Sequence, residues 1–70
     1  EERRVVERLR DWRRRLASSE NVPTYMICQD KTLEHLAIAR PRTIEELTKI
    51  YGLGESKIAR YGAGMLNQLA

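Results

Sequence analysis

The strongest periodic signal in the chain lies in its first eighteen residues, and it is helical. Val5, Leu9, Trp12 and Leu16 are spaced four, three and four residues apart, which places them on one face of an α-helix. The spacing predicts a helix over residues 3–18, whose apolar stripe must pack against other elements. Because no segment alternates apolar and polar residues with a period of two, the sequence predicts an all-α fold.

Residues 19–39 contain a connector and a second long helical segment. Pro23 lacks an amide proton, so it is expected in the loop that follows the first helix. The apolar segment 24–28 is too short for its period to decide its type, and we favour a short helix over a buried strand. Asp30 is predicted to be the N-cap of a helix that runs to about Ala39.

Two further helices are predicted in the C-terminal half. Thr43 and Glu46 have the spacing of a capping box, in which each side chain accepts from the other residue's backbone amide. The helix that starts at Ile44 is expected to end at Gly52. A last helix is predicted from about Glu55, with Gly62 and Gly64 as positions of low helix propensity.

These elements predict a single domain over residues 1–70, a compact bundle of four to five short helices. A chain of this size buries only about 60% of the surface that its unfolded form exposes. Because it starts without Met and already within a helical pattern, we expect it to be excised from a longer chain. The expected core consists of nine apolar residues: Leu9, Trp12, Leu16, Leu33, Leu36, Leu47, Ile58, Leu66 and Leu69.

The positive charge of the chain is small and unevenly placed. The net charge is +3, and residues 1–20 hold seven arginines against five acids. A helix that mixes Arg with Glu and Asp is most often solvated and crossed by ion pairs four residues apart. We therefore expect most of these arginines to be structural, although a stripe facing phosphates stays an alternative.

Catalytic, metal and membrane functions are poorly supported by the composition. The single cysteine, Cys28, cannot form an internal disulfide, and His35 has no second histidine with which to bind a metal. No nucleophile motif, paired acids or P-loop is present. No apolar run approaches the length of a membrane span, and no signal peptide is visible. We expect a cytoplasmic, monomeric domain without cofactor, metal or active site.

The order and spacing of several motifs resemble the HRDC (helicase and RNase D C-terminal) domain. The resemblance extends from about residue 5 to residue 69. It rests on Leu9-x-x-Trp12-Arg13, Val22-Pro23-x-Tyr25-x-Ile27, Asp30-x-x-Leu33-x-x-Leu36-Ala37, Pro41, Glu46-Leu47, Ile50-Tyr51-Gly52-Leu53-Gly54-x-x-Lys57 and Tyr61-Gly62. Thr24 and Tyr51 depart from it, the second because a small or polar residue is common before the glycine turn.

The resemblance implies a five-helix accessory bundle attached to RecQ-type helicases, some UvrD-type helicases or RNase D exonucleases. Members help to place single-stranded or branched DNA, while some contact protein instead. In RecQ-type domains, a tyrosine that contributes to single-strand binding falls at the position of Tyr25. The residues themselves leave open whether Tyr25 is exposed for a base to stack on or fills the core.

The segment Gly52-Leu53-Gly54 resembles the turn of a helix-hairpin-helix motif. Glycines let the backbone approach a phosphate, and the next helix offers unpaired amides. Lys57 would add a cation one turn into that helix, whereas Glu55 opposes an anion. The alternative is that the glycines only permit a tight turn.

Three further cations are candidates for backbone contacts. Arg40 and Arg42 flank the rigid Pro41, and Lys31 lies near the start of the preceding helix. Together the candidate nucleic-acid-binding residues are Tyr25, Lys31, Arg40, Arg42, Gly52, Gly54 and Lys57.

The function expected from these features is weak binding of single-stranded or branched DNA through phosphate contacts. The parent chain would be a DNA helicase acting in repair or recombination. RNA is an alternative ligand if the parent is an RNase D-type exonuclease. Docking on the parent helicase core, without nucleic acid, is the other alternative.

Overall fold

The computed structural model describes residues 1–70 and contains helices, turns and loops but no strand. Four α-helices follow one another: α1 (Glu2–Glu20), α2 (Asp30–Ala39), α3 (Ile44–Leu47) and α4 (Glu55–Leu69). A single 3-10 turn, Thr24–Met26, joins α1 to α2. The all-helical prediction is therefore confirmed, and the strand alternative for residues 24–28 is wrong.

Helix α1 is two residues longer than predicted at its C-terminal end because a capping motif closes it further along the chain. Asn21 adopts a left-handed conformation with φ of 58°. The Asn21 amide donates to the Ser18 carbonyl at 3.2 Å and the Val22 amide to the Ala17 carbonyl at 3.0 Å, which is the Schellman pattern. Asparagine tolerates this conformation better than most residues do.

The start of α2 differs from the prediction in one residue. Gln29 is the N-cap and makes no side-chain capping bond, and Asp30 is the first helical residue. The prediction of Asp30 as N-cap is therefore wrong. Its carboxylate turns to Arg13 of α1, because an ion pair with a buried guanidinium replaces the bond to the first-turn amides.

The cap of α3 is confirmed in part. The Glu46 amide donates to Thr43 Oγ1 at 3.1 Å, as a capping box requires. The return bond differs, since Glu46 Oε1 accepts from the Arg42 amide at 2.7 Å instead of from Thr43.

The predicted continuation of α3 to residue 51 is wrong. After Leu47 the amides of Thr48, Lys49 and Ile50 donate to carbonyls three residues earlier, and Leu53 donates to Ile50 in the same way. This tighter winding turns Ile50 and Leu53 into the core, where both are buried.

Helix α4 is continuous through its two glycines, which provide space for neighbouring helices. A Cβ at Gly62 would lie 3.1 Å from Ile44 Cδ1, and a Cβ at Gly64 would lie 3.1 Å from Trp12 Cζ2. The glycines therefore let α3 and the indole of α1 pack directly on α4.

The core lies between α1, α2 and α4, and six of the nine predicted core residues are buried: Leu9, Leu33, Leu36, Leu47, Ile58 and Leu69. The other three, Trp12, Leu16 and Leu66, are partly buried against it. Ile27 and Cys28 were not predicted but are fully buried, which anchors the connector before α2. None of the helices has the length and apolar character that a membrane span requires.

Candidate nucleic-acid interface

The glycine turn before α4 is fixed against α2 by three contacts. Gly52 has a φ of +80°, and a Cβ at this position would lie 2.6 Å from Thr32 Oγ1. The Thr32 hydroxyl donates to the Tyr51 carbonyl at 2.9 Å. The Tyr51 amide in turn donates to His35 Nδ1 at 3.0 Å. Only glycine fits at residue 52, because both the conformation and the close approach exclude a side chain.

Gly54 has a different role from Gly52. Its φ is −91°, and it is the N-cap of α4 without a side-chain capping bond. Nothing lies within 4 Å of the position that a Cβ would occupy. The backbone at the start of α4 is therefore open to a ligand, and its first amides have no side-chain partner. Such amides, together with the helix dipole, form an anion-binding end.

Two candidate lysines lie beside this turn. Lys31 Nζ is 5.7 Å from the centroid of the Tyr51 ring. Lys57 is the third residue of α4 and follows the glycine turn directly along the chain. Burial raises the pKa of the Cys28 thiol, and the positive charges of Arg13 and Lys57 oppose that rise. Neither lysine takes part in a salt bridge with a carboxylate. Both charges are therefore available to a phosphate.

Tyr25 lies in the 3-10 turn that leads into the same end of α2. It is 65% exposed, so the alternative that it fills the core is wrong. Ile27 and Cys28, just after it, are fully buried and fix the turn to the core. The result is an aromatic ring on the surface that is carried by an anchored backbone.

We call the surface formed by Tyr25, Lys31, Gly52, Gly54 and Lys57 the hairpin surface. All five residues were candidates from the sequence. They belong to three separate segments: the 3-10 turn, which leads into α2, the start of α2 itself, and the glycine turn with the start of α4. The contacts of Tyr51 and Gly52 with Thr32 hold the glycine turn against the first part of α2.

Arg40 and Arg42 lie at the opposite end of α2. Arg40 is the C-cap of that helix with φ of 47°. At about 1.5 Å per residue, it lies roughly 13 Å along the axis from Lys31. Its guanidinium is 3.9 Å from the Glu1 carboxylate. With Leu66 and Leu69 of α4, both arginines line a shallow depression that is separate from the hairpin surface.

Arg13 is a buried neighbour of the hairpin surface that the sequence analysis did not single out. Its side chain is 11% exposed, and it donates to the Cys28 carbonyl at 2.9 Å and to Asp30 Oδ1 at 2.8 Å. The hydrogen bond and the positive charge of Arg13 lower the pKa of the Asp30 carboxyl. The negative charge of Asp30, which precedes Lys31 in the sequence, is therefore compensated by Arg13. The sequence contained a signal for the burial of Arg13, since this residue is four positions from both Leu9 and Ala17 on the buried face of α1.

The remaining polar residues single out no second site. No three histidine, cysteine or acidic side chains lie close enough together to hold a metal ion. Cys28 is buried, and His35 accepts the Tyr51 amide, so both serve the packing of the fold. Arg14 and Arg15 pair with Asp11 on α1, as expected for a solvated helix face.

Known proteins resemble this chain in sequence and in structure. The profile of the HRDC domain family matches residues 2–69. ATP-dependent DNA helicase RecQ of Bacillus subtilis is 35% identical over 65 residues, which are 93% of this chain and 11% of that protein. ATP-dependent DNA helicase UvrD2 of Mycobacterium tuberculosis is 36% identical over 58 residues, 83% of this chain and 8% of that protein.

A solved structure, "D. radiodurans RecQ HRDC domain 3", matches with a TM-score of 0.94 at 35% identity. The match covers 99% of this chain and 91% of that chain. The chain thus spans 91% of a solved domain but only 11% and 8% of the lengths of these two helicases.

Proposed function

Because this chain belongs to the HRDC domain family, a family of small accessory domains, we propose that it binds single-stranded or branched DNA weakly for a parent DNA helicase. It would hold the strand by its phosphate backbone and would not carry out catalysis. The similarity to RecQ and UvrD2 helicases supports a helicase as the parent in preference to an RNase D-type exonuclease. Its bacterial relatives support a place in the bacterial cytoplasm.

The hairpin surface is the observation that carries this proposal. It combines the uncovered backbone at Gly54 with two lysines that have no carboxylate partner. Phosphate oxygens accept bonds from backbone amides and from ammonium groups without regard to base sequence. Glu55, in the first turn of α4, opposes an anion and limits the affinity. These features support weak contact with a backbone and not sequence-specific reading.

The stacking step of the proposal rests on Tyr25. Single-strand binders combine a cationic path with aromatic rings on which bases stack, each worth about 1–3 kcal/mol. Tyr25 is exposed and sits on an anchored turn at the same end of α2 as Lys31. A base that leaves its own strand stack could therefore stack on Tyr25 while the phosphates of the strand contact the lysines.

The number of phosphates bound can be measured by salt dependence. If about 2 to 4 phosphates of a single strand are neutralised, log affinity should fall against log salt with a slope near −1.5 to −3. The experiment is a titration of a fluorescent single-stranded oligonucleotide with the domain at several salt concentrations. Lys57→Ala should flatten the slope by somewhat less than one unit, because it removes one cation.

Tyr25→Ala is the matched comparison for Lys57→Ala. It removes a stacking surface and no charge, so the affinity should fall while the salt slope stays nearly unchanged. Helical circular dichroism must be retained in both variants. Absence of binding to single-stranded and forked DNA at low salt would overturn the proposal.

Arg40 and Arg42 belong to the proposal as a second, separate contact. A strand that reached them from Lys31 would have to cover the roughly 13 Å length of α2, about four nucleotides at a stacked spacing of 3.4 Å. Arg42→Ala should therefore weaken the binding of long oligonucleotides and leave a three-nucleotide strand unaffected.

Docking on the parent enzyme is the second candidate function, and one feature favours it. Ile44, Ala63 and Leu66 line a shallow, mainly apolar groove beside α4, and Ile44 is 48% exposed. If the domain binds no nucleic acid, this groove is the surface with which it would contact protein.

A further inference from the structure

Tyr51 is the second exposed aromatic residue of the chain, at 53% exposure. Neither a helix cap nor packing in the core explains why a tyrosine stands at this position. Trp12 and Tyr61 pack into or against the core, while Tyr25 and Tyr51 do not. An exposed ring on a short turn is usually mobile and loses conformational entropy when it binds.

The backbone of Tyr51 is held on both sides. Its amide donates to His35 Nδ1 at 3.0 Å, and its carbonyl accepts from the Thr32 hydroxyl at 2.9 Å. Both partners belong to α2, and the next residue, Gly52, lies against Thr32 as well. The ring is therefore carried by a fixed point of the backbone, which lowers the entropy lost when a ligand stacks on it.

The ring also lies next to a cation. Lys31 Nζ is 5.7 Å from its centroid, which is within the range of a cation–π contact. No carboxylate pairs with this ammonium. A nucleotide has an aromatic face and a phosphate on one backbone unit, and this ring and ammonium offer a partner for each.

We propose that Tyr51 is a second base-stacking platform, with Lys31 beside it contacting a phosphate of the same strand. The inference rests on the proposed function and narrows its ligand to strands whose bases are free to leave their stack. Paired bases inside a duplex have no free face, so a blunt duplex should bind less well than a single strand.

A purely structural role for Tyr51 is the alternative. In that case the ring would only cover Lys31 and the polar contacts of α2. Its removal would lower the melting temperature and would affect all ligands equally. A test must therefore separate stacking from folding and from charge.

The experiment measures dissociation constants of the 70-residue domain at low salt for two strands of equal length: oligo-thymidine and a strand of abasic residues. Tyr51→Ala should weaken oligo-thymidine binding about 5- to 10-fold and leave the salt slope unchanged. It should not alter binding of the abasic strand, which has phosphates but no bases. Tyr51→Phe should bind like the wild type, because stacking needs the ring and not the hydroxyl.

Two controls accompany these variants. Ile38→Ala removes another exposed apolar side chain, 68% exposed on α2, and should leave both affinities unchanged. Tyr51→Leu keeps apolar volume without an aromatic face, so it replaces Tyr51→Ala if that variant does not fold. It should likewise weaken binding of oligo-thymidine and leave binding of the abasic strand unchanged.

Two results would overturn the inference alone: wild-type affinity of Tyr51→Ala for oligo-thymidine, or an equal loss on both strands. A wild-type domain that binds neither strand would overturn the proposed function as well.

Discussion

Arg13 shows how a single residue can matter for both the core and the surface. Its side chain is buried, and its guanidinium ties α1 to the start of α2 through the Cys28 carbonyl and the Asp30 carboxylate. Its Nε atom is buried without a partner, so the pair is not fully satisfied. The residue type alone predicts a solvated arginine, because burial of a charge depends on partners that only the tertiary structure supplies.

The ion pair of Arg13 makes stability depend on acidity. The pKa of Asp30 lies below its ordinary value of 3.8 because Arg13 donates a hydrogen bond to it and is positively charged. The ionised carboxylate therefore contributes stability above pH 3.8, and this contribution is lost as the pH falls through the lower folded-state pKa. Because the Asp30 side chain is 63% exposed, we expect a contribution below about 1 kcal/mol.

Thermal unfolding at pH 7 and pH 3 checks this dependence. The difference in melting temperature should be smaller for Asp30→Asn than for the wild type. Glu34→Gln, on the exposed side of the same helix and outside any salt bridge, is the matched control and should keep the wild-type difference. An equal difference in all three proteins would contradict the assigned role of Asp30.

Gly52 and Gly54 form a second matched pair at the scale of single residues. Gly52→Ala should lower the free energy of unfolding by about 1–3 kcal/mol, because φ is +80° and the new Cβ would meet Thr32 Oγ1 at 2.6 Å. Gly54→Ala should cost less, about 0.5–1 kcal/mol, because the position is open and the only loss is that alanine is a poorer N-cap than glycine. Chemical denaturation measures both, and equal losses would contradict the geometry of the turn.

Among the elements, α1, α2 and α4 were predictable because their signals lie within each segment. The apolar spacing of α1 and the prolines on either side of α2 define them locally. The chain after Leu47 was not predictable in the same way. Its backbone hydrogen bonds join residues three apart, whereas those of an α-helix join residues four apart. At its end, the backbone of Tyr51 is held by the side chains of Thr32 and His35 in α2.

The cap of α3 allows a test at this scale. Helix α3 has only four residues, so the bond from the Glu46 amide to Thr43 Oγ1 is a large part of its local stabilisation. Thr43→Ala should lower the free energy of unfolding by about 1 kcal/mol, and Thr43→Ser should restore most of it. Urea unfolding followed by circular dichroism measures the change. A variant with Ala that is as stable as the wild type would rule out the cap.

At the scale of the whole molecule, the fold divides the candidate cations into two groups. The sequence identified the residue types, but it could not place Lys31 beside the glycine turn or set Arg40 and Arg42 at the far end of α2. That division depends on how the glycine turn packs against α2. The sequence marks Tyr51 only as a departure from the HRDC pattern. Its exposure and its position beside Lys31 depend on the tertiary structure, so the sequence alone does not predict them.

The whole molecule is proposed to bind a single strand at the N-terminal end of α2. The most direct measurement is a two-dimensional amide NMR titration of the labelled domain with a short single-stranded oligonucleotide at low salt. We expect the largest shift changes at Tyr25, at Lys31 and over residues 51–57. Shift changes centred on residues 40–43, or none at all, would contradict it.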